Sequence, residues 1–161
     1  MAEPVAARAG AVQKTLNVDV PIERAFAMFT EKMGAWWPAT HHIAKEPFAD
    51  ITVERRPGGR WYERAADGTE CDWGRVTVWE PPRRVAFSWH LQGDWSFDPN
   101  PEKASEVEVR FFEAGAGKTR VELEHRNLER HGADWEKLRA GVDSPGGWSA
   151  VLEQFTKAVA A

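Results

Sequence analysis

The 161 residues include a single cysteine, Cys71. One thiol forms no intramolecular disulfide and no cysteine-based zinc cluster. No stretch approaches the length and apolarity of a membrane span, and the opening MAEPVAARAGAVQ lacks the apolar core of a secretory signal. The expected location is therefore the cytoplasm. Basic charge is nowhere concentrated. The formal net charge is −4, and Glu is interleaved with Arg along most of the chain. Arg55-Arg56 and Arg83-Arg84 each flank a proline turn and read as solvent decoration. This pattern argues against nucleic acid and against an anionic membrane surface. There is also no G-x-S-x-G, no P-loop and no G-x-G-x-x-G behind a strand. Gly58-Gly59 and Gly115 to Gly117 sit in hairpin turns instead. With no internal repeat and no interior linker, one domain over residues 1–161 is expected, with an Ala/Gly-rich, frayed start at 1–10.

What is abundant is tryptophan, with nine residues. Large aromatics dominate core and interface energetics, so the rings either fill a core or line a cavity. The adjacent pair Trp36-Trp37 sharpens the question. On a short helix the two side chains diverge by about a hundred degrees. One belongs in the core; the other lies over the sheet edge or at the mouth of a cavity.

The periodicities give an order of elements. Val12, Leu16, Val18 and Val20 mark a half-buried strand. Pro21 opens a helix whose apolar residues Ile22, Ala25, Phe26 and Phe29 fall at helical spacing. A second short helix ends before Pro38. Strands follow at Ile51 to Val53, Arg60 to Ala65, Glu70 to Trp79, Arg84 to Leu91, Val107 to Phe111 and Thr119 to Glu124. Turn chemistry about every dozen residues makes them an antiparallel meander. Trp148, Val151, Leu152, Phe155 and Val159 repeat at three and four residues after Gly146-Gly147. They form an amphipathic C-terminal helix that covers one sheet face. Leu128 to Pro145 is partly helical around Asp134 to Arg139. The fold class is α+β: a six- to seven-stranded antiparallel sheet wrapped around a long C-terminal helix, with two short helices after the first strand.

Several words carry a resemblance: VDVPIERAFAMFT, RPGGRWYE, ADGTE, WGRVTVWEPPRRVAFSW and the GGW that opens the last helix. With the element order, they resemble the helix-grip fold of the START-like (SRPBCC) superfamily. The branch they resemble is named for the C-terminal domain of the activator of the ninety-kilodalton heat-shock protein's ATPase. The resemblance runs from about Val12 to Val159. It implies a cavity between sheet and long helix, where superfamily members hold lipids, hormones, polyketides or other apolar molecules; a few members are cyclases or hydrolases. The co-chaperone role belongs to members with an additional N-terminal domain, for which this length leaves no room.

The candidate ligand-binding residues are Trp36, Trp37, Trp61, Glu63, Trp89, Val109, Phe111, Leu123, His125 and Trp148. The apolar ones supply wall and rim, and Glu63 or His125 orients a polar end. His125 continues the inward phase of Thr119, Val121 and Leu123. It is either a satisfied neutral core histidine or a cavity acid, base or donor. His90 falls out of phase with Phe87, Trp89 and Leu91 and is expected to face solvent. Glu63 points in if Trp61 does; Asp72 points in if Val76 and Val78 do. Either carboxylate is a buried acid with a raised pKa, or pairs with Arg75 or Arg64 across a hairpin. Cys71 reads as a structural thiol. His41 and His42 lie in a loop, with one of them at the cavity rim as the second choice. No spacing selects a metal set from these histidines, so no metal and no cofactor is expected. Glu106, Glu108, Glu122 and Glu124, offset by Arg110 and Arg120, read as a solvated outer face.

The function expected from all this is binding of a small apolar or amphipathic molecule. An enzyme of cyclase or hydrolase type, with His125 and Glu63 or Asp72 moving protons, is one alternative. A chaperone-associated interaction module is another, predicting an exposed patch on the outer sheet face. Homodimerisation through an edge strand or the aromatic rim stays open.

Overall fold

A computed structural model gives the structure of residues 10–92 and 94–160. The expected frayed start, apart from Gly10, lies outside the described residues. Strand β1 (Val12–Val18) leads through Pro21 into helix α1 (Ile22–Glu31), which buries Ile22, Ala25, Phe26 and Phe29 along one stripe. Helix α2 (Met33–Trp36) is a single turn. It stops because Trp37, the residue before Pro38, is extended at φ −60°, ψ 134°, as the proline ring requires of its predecessor.

Six strands follow: β2 (Phe48–Val53), β3 (Arg60–Ala65), β4 (Glu70–Glu80), β5 (Arg84–Trp89), β6 (Ser105–Glu113) and β7 (Thr119–Arg126). Every pairing is antiparallel, in the order β1-β7-β6-β5-β4-β3-β2. The first strand thus sits beside the last, and the meander curls as one seven-stranded sheet. A 3-10 turn at Leu128–His131 and helix α3 (Trp135–Asp143) lead to the long C-terminal helix α4 (Trp148–Ala160). This is the architecture that the resemblance implied.

Alternation on β5, β6 and β7 puts Val85, Phe87, Trp89, Val107, Val109, Phe111, Val121, Leu123 and His125 on the inner face, all buried. Helix α4 buries Trp148, Val151, Leu152, Phe155 and Val159 towards them. Beneath the middle of α4 the rings close up. Phe155 meets Phe29 at 5.4 Å and Trp36 at 5.2 Å between centroids, and Phe26 meets Phe111 at 5.2 Å. Edge-on contacts at these distances are the favoured aromatic geometry.

Strand β4 breaks simple alternation. Trp61 pairs with Gly74 but Tyr62 with Asp72, so Trp73 is an extra residue, a β-bulge; a second shift falls between Val76 and Val78. Trp73 therefore turns inward while Asp72 turns out to an ion pair with Arg60 at 2.7 Å. Neither Arg75 nor Arg64 is the partner of Asp72. Gly74 is needed here, since a Cβ would lie 1.7 Å from the Ser88 carbonyl oxygen.

Two expectations about exposure are corrected. His90 is buried, not solvent-facing. Its side chain does leave the inner face, but the returning segment covers it: the ring stacks on Phe97 at 5.4 Å, and Nδ1 lies 2.8 Å from the Asp98 carbonyl. The outer face of β6 and β7 is also not a freely solvated row, because Glu108, Glu122 and Glu124 are buried. Arg126 bridges Glu106, Glu108 and Glu124; Arg110 and Arg84 reach Glu108; Arg120 meets Glu122. These strands are interior to the sheet, so long guanidinium stems lie flat across neighbouring carboxylates. Arg84, read as solvent decoration, belongs to this network. Among the described residues no helix is long and apolar enough to cross a membrane.

Candidate functional site

At the N-terminal end of α4 the rings do not close. A half-open cleft of about 460 Å³ lies among the 37–43 loop, Trp73 of β4, the end of β5, Trp95, the α3–α4 turn and the first turn of α4. This volume falls in the range of small-molecule sites. The indoles of Trp37, Trp73, Trp89 and Trp148 are among its lining residues.

The Trp36-Trp37 pair divides between the two regions. Trp36 donates its indole N–H to the Met28 carbonyl at 2.9 Å and packs into the phenylalanine core. Trp37, turned away by the extended backbone before Pro38, donates to the His41 carbonyl at 3.0 Å and faces the cleft. The other wall indoles are held in the same way. Trp89 donates to the Leu91 carbonyl at 3.0 Å, Trp73 to Glu63 Oε1 at 2.9 Å, and Trp148 to His125 Nδ1 at 3.1 Å. All four N–H groups are engaged by the protein.

Glu63 and His125 are thus behind the wall, each gripping an indole. Glu63 is fully buried and also accepts from the backbone N–H of Ile43 at 2.5 Å and of Ala44 at 3.3 Å. It ties the loop that carries His41 and His42 to the sheet. His125 receives the Trp148 N–H on Nδ1, which places its own proton on Nε2, 2.8 Å from Ser105 Oγ. The Ser105 hydroxyl in turn lies 2.7 Å from His131 Nε2. Burial, reinforced by His131, pushes the His125 pKa down to about 3. Burial, reinforced by His90, takes His131 to about 4. Both rings are neutral near pH 7, and both ring nitrogens of His125 have side-chain partners.

Of the ten sequence candidates, Trp37, Trp89 and Trp148 border the cleft. Glu63 and His125 stand directly behind it. Trp36, Trp61, Val109, Phe111 and Leu123 are buried in the adjoining core. Asp72, on the far side of the sheet, does not converge with His125 and Glu63. Sequence reasoning passed over Trp73, which the bulge in β4 turns inward, and Trp95, which lies in an aperiodic turn. It also passed over the glycine side of the cleft, Gly141, Gly146 and Gly147. Gly147 lets α4 approach α3 closely, since a Cβ would fall 2.2 Å from the Val142 carbonyl oxygen.

The polar groups on the cleft gather on one side. His41 and His42 line it with Thr40 and Ser144. His41 Nε2 donates to the Gly146 carbonyl at 2.6 Å, closing the loop against the α3–α4 turn. The Cys71 thiol lies outside the cleft lining, and burial with nearby Glu63 and Asp72 raises its pKa away from thiolate reactivity. Among the described residues no group of three His, Cys, Asp or Glu side chains is placed to hold a metal ion.

Comparison with known proteins gives consistent matches. The family model described as Activator of Hsp90 ATPase homolog 1-like protein matches residues 19–160. An anthrahydroquino-γ-pyrone synthase, Txn09, solved in a complex, is 40% identical. That match covers 91% of this chain and 95% of the synthase, at a TM-score of 0.64. CalC, a self-sacrificing resistance protein from Micromonospora echinospora, is 29% identical over 92% of this chain and 93% of its own, with a TM-score of 0.64. NE0264 from Nitrosomonas europaea, 15% identical over 98% of both chains with a TM-score of 0.65, shares the fold. No curated protein matches the chain.

Proposed function

On the premise that this chain belongs to the Activator of Hsp90 ATPase homolog 1-like family, within the SRPBCC helix-grip superfamily, we propose that it binds a small apolar or amphipathic molecule, of planar aromatic type, in the tryptophan-walled cleft. One observation carries the reading: four indoles bordering a cleft of about 460 Å³ have their N–H groups engaged by the protein, two from behind by Glu63 and His125 and two by the backbone carbonyls of His41 and Leu91. Tethered rings keep their orientation at the cleft wall, where an aromatic guest meets them in the offset or edge-on geometry that rings favour. Burial of the guest is driven by apolar area, at about 25 cal/mol per Å² before association costs. The polar edge of the guest faces His41, His42, Thr40 and Ser144.

A second reading, catalysis on the bound compound, is favoured by the 40% identical synthase. The proton-moving groups for it are His41 and His42, which border the cleft, and not His125 with Glu63 or Asp72. Geometry supports such a role only for groups within reach of the guest.

Native mass spectrometry tests the first reading. The protein is mixed with anthraquinone-2-sulfonate and, separately, with decanoate. A one-to-one adduct with the aromatic probe, lost in Gly141→Leu, is the expected result. A bare protein mass with both probes overturns it. Turnover abolished by His41→Ala, with the adduct retained, would establish the second reading.

A further inference from the structure

Trp95 borders the cleft but is built unlike the four wall indoles. Trp37, Trp73, Trp89 and Trp148 are at most 6% exposed, whereas Trp95 is 47% exposed. It lies in the turn between Leu91 and Phe97, which form an isolated antiparallel bridge. The turn is closed by the Trp95 N–H on the Gln92 carbonyl at 2.8 Å. Its φ is 66°, in the left-handed region that bulky side chains rarely adopt. Among the described residues its indole N–H has no hydrogen-bond partner. The ring meets Trp89 edge-on at 6.5 Å between centroids, and a methyl group placed on Gly141 would lie 4.0 Å from its Cζ2.

Trp89 is the one ring that Trp95 meets among the described residues. About half of a large apolar side chain stands in water, its backbone is in a disfavoured region, and its indole N–H has no protein acceptor among the described residues. Residues held in sparsely populated backbone regions cluster at ligand clamps, where the surroundings impose them. Phe97, the other exposed ring of this segment, is different because it stacks on His90. Trp95 is the one that reaches the cleft, with its ring edge beside the bare backbone of Gly141.

We propose that Trp95 is a ligand-contacting residue that closes the open side of the cleft over a bound aromatic molecule, with its indole N–H as a donor to that molecule. The proposal rests on the binding reading above and adds the residue that completes the enclosure. A guest lying against Trp89 and Trp148 covers the exposed face of Trp95. An oxygen on its rim meets the free N–H.

Glycine adopts the left-handed region without strain, so Trp95→Gly removes the ring without disturbing the turn. Asparagine also tolerates that region and gives a second ring-less variant. Calorimetric titration with anthraquinone-2-sulfonate is the measurement, with thermal midpoints recorded alongside. Trp95→Gly and Trp95→Asn are expected to weaken binding at least fivefold, with midpoints at or above the parent's. Trp95→Phe, which keeps a ring and loses the donor, is expected to fall between. A loss below fivefold in both ring-less variants overturns the proposal and leaves the cleft reading standing. Phe binding equal to the parent's overturns the donor role. If those variants bind as the parent does but change its sedimentation, Trp95 serves contacts between copies and the proposal fails. A parent that takes up no probe removes this proposal and the binding reading together.

Discussion

Two ends of the same inner face treat aromatic rings in opposite ways. Under the middle of α4, Phe29, Phe111, Phe155 and Trp36 interlock at 5.2–5.9 Å and leave no cleft among them. At the N-terminal end, Trp37, Trp73, Trp89 and Trp148 stand at similar spacings, 5.1–6.4 Å, around open space. Ring size does not separate the two ends, since both are built from large aromatics. Tethering does. A phenylalanine has no polar handle and rotates until it packs. An indole whose N–H is fixed to a buried acceptor keeps its orientation. The α3–α4 turn adds Gly146 to the lining, with open space where a side chain would stand. At this end two buried polar side chains, Glu63 and His125, fix the orientation of Trp73 and Trp148.

The largest effect that would sharpen this contrast is Phe155→Ala. Loss of a fully buried ring costs about 3–5 kcal/mol, read by urea denaturation. In the folded population the affinity for anthraquinone-2-sulfonate should stay within twofold, because the cavity opens in the packed end. Next is Glu63→Gln, which keeps the shape but exchanges one acceptor oxygen for an amide group. Three N–H groups converge on this carboxylate. A loss of about 1–3 kcal/mol is expected, together with at least a fivefold loss of probe affinity as Trp73 and the 43–44 loop are released. Equal damage to binding from both variants would erase the distinction between the two ends.

Acid gives a further separation. His125 at about 3 and His131 at about 4 both sit below the ordinary histidine value of 6.5. Between those limits the unfolded chain binds more protons than the folded one, so stability falls as pH drops from about 6.5 towards 3, and is level above it with respect to these two groups. Denaturation midpoints at pH 7, 5.5 and 4.5 measure the slope. His125→Gln should flatten it. The smallest effect expected is Gly141→Ala. The added methyl makes only ordinary contact with Trp95, and replacing a glycine inside α3 should stabilise by about 0.5–1 kcal/mol.

Much of this architecture was legible from periodicity: the meander, the C-terminal helix, and the inward phase of β5, β6 and β7. The site was legible only in part. Trp37, Trp89 and Trp148 follow from helix and strand spacing, but the bulge at Trp73 shifts the phase of β4, and no alternation pattern reports a bulge. That shift also decided between Glu63 and Asp72. His90 follows its strand phase correctly yet is buried by a segment that pairs later in the chain. Trp95 lies in a turn where periodicity carries no information. On the outer face, alternation identified the direction of the glutamates but not the arginines laid across them.

The most direct measurement of the tethering claim is hydrogen exchange of the indole N–H groups by NMR, with and without anthraquinone-2-sulfonate. The account predicts that the N–H signals of Trp37, Trp73, Trp89 and Trp148 stay protected in the free protein and the complex, while that of Trp95 exchanges at once when free and slows when the probe binds. Fast exchange of the four wall indoles in the free protein would contradict it, because rings that turn freely would not hold the cleft open.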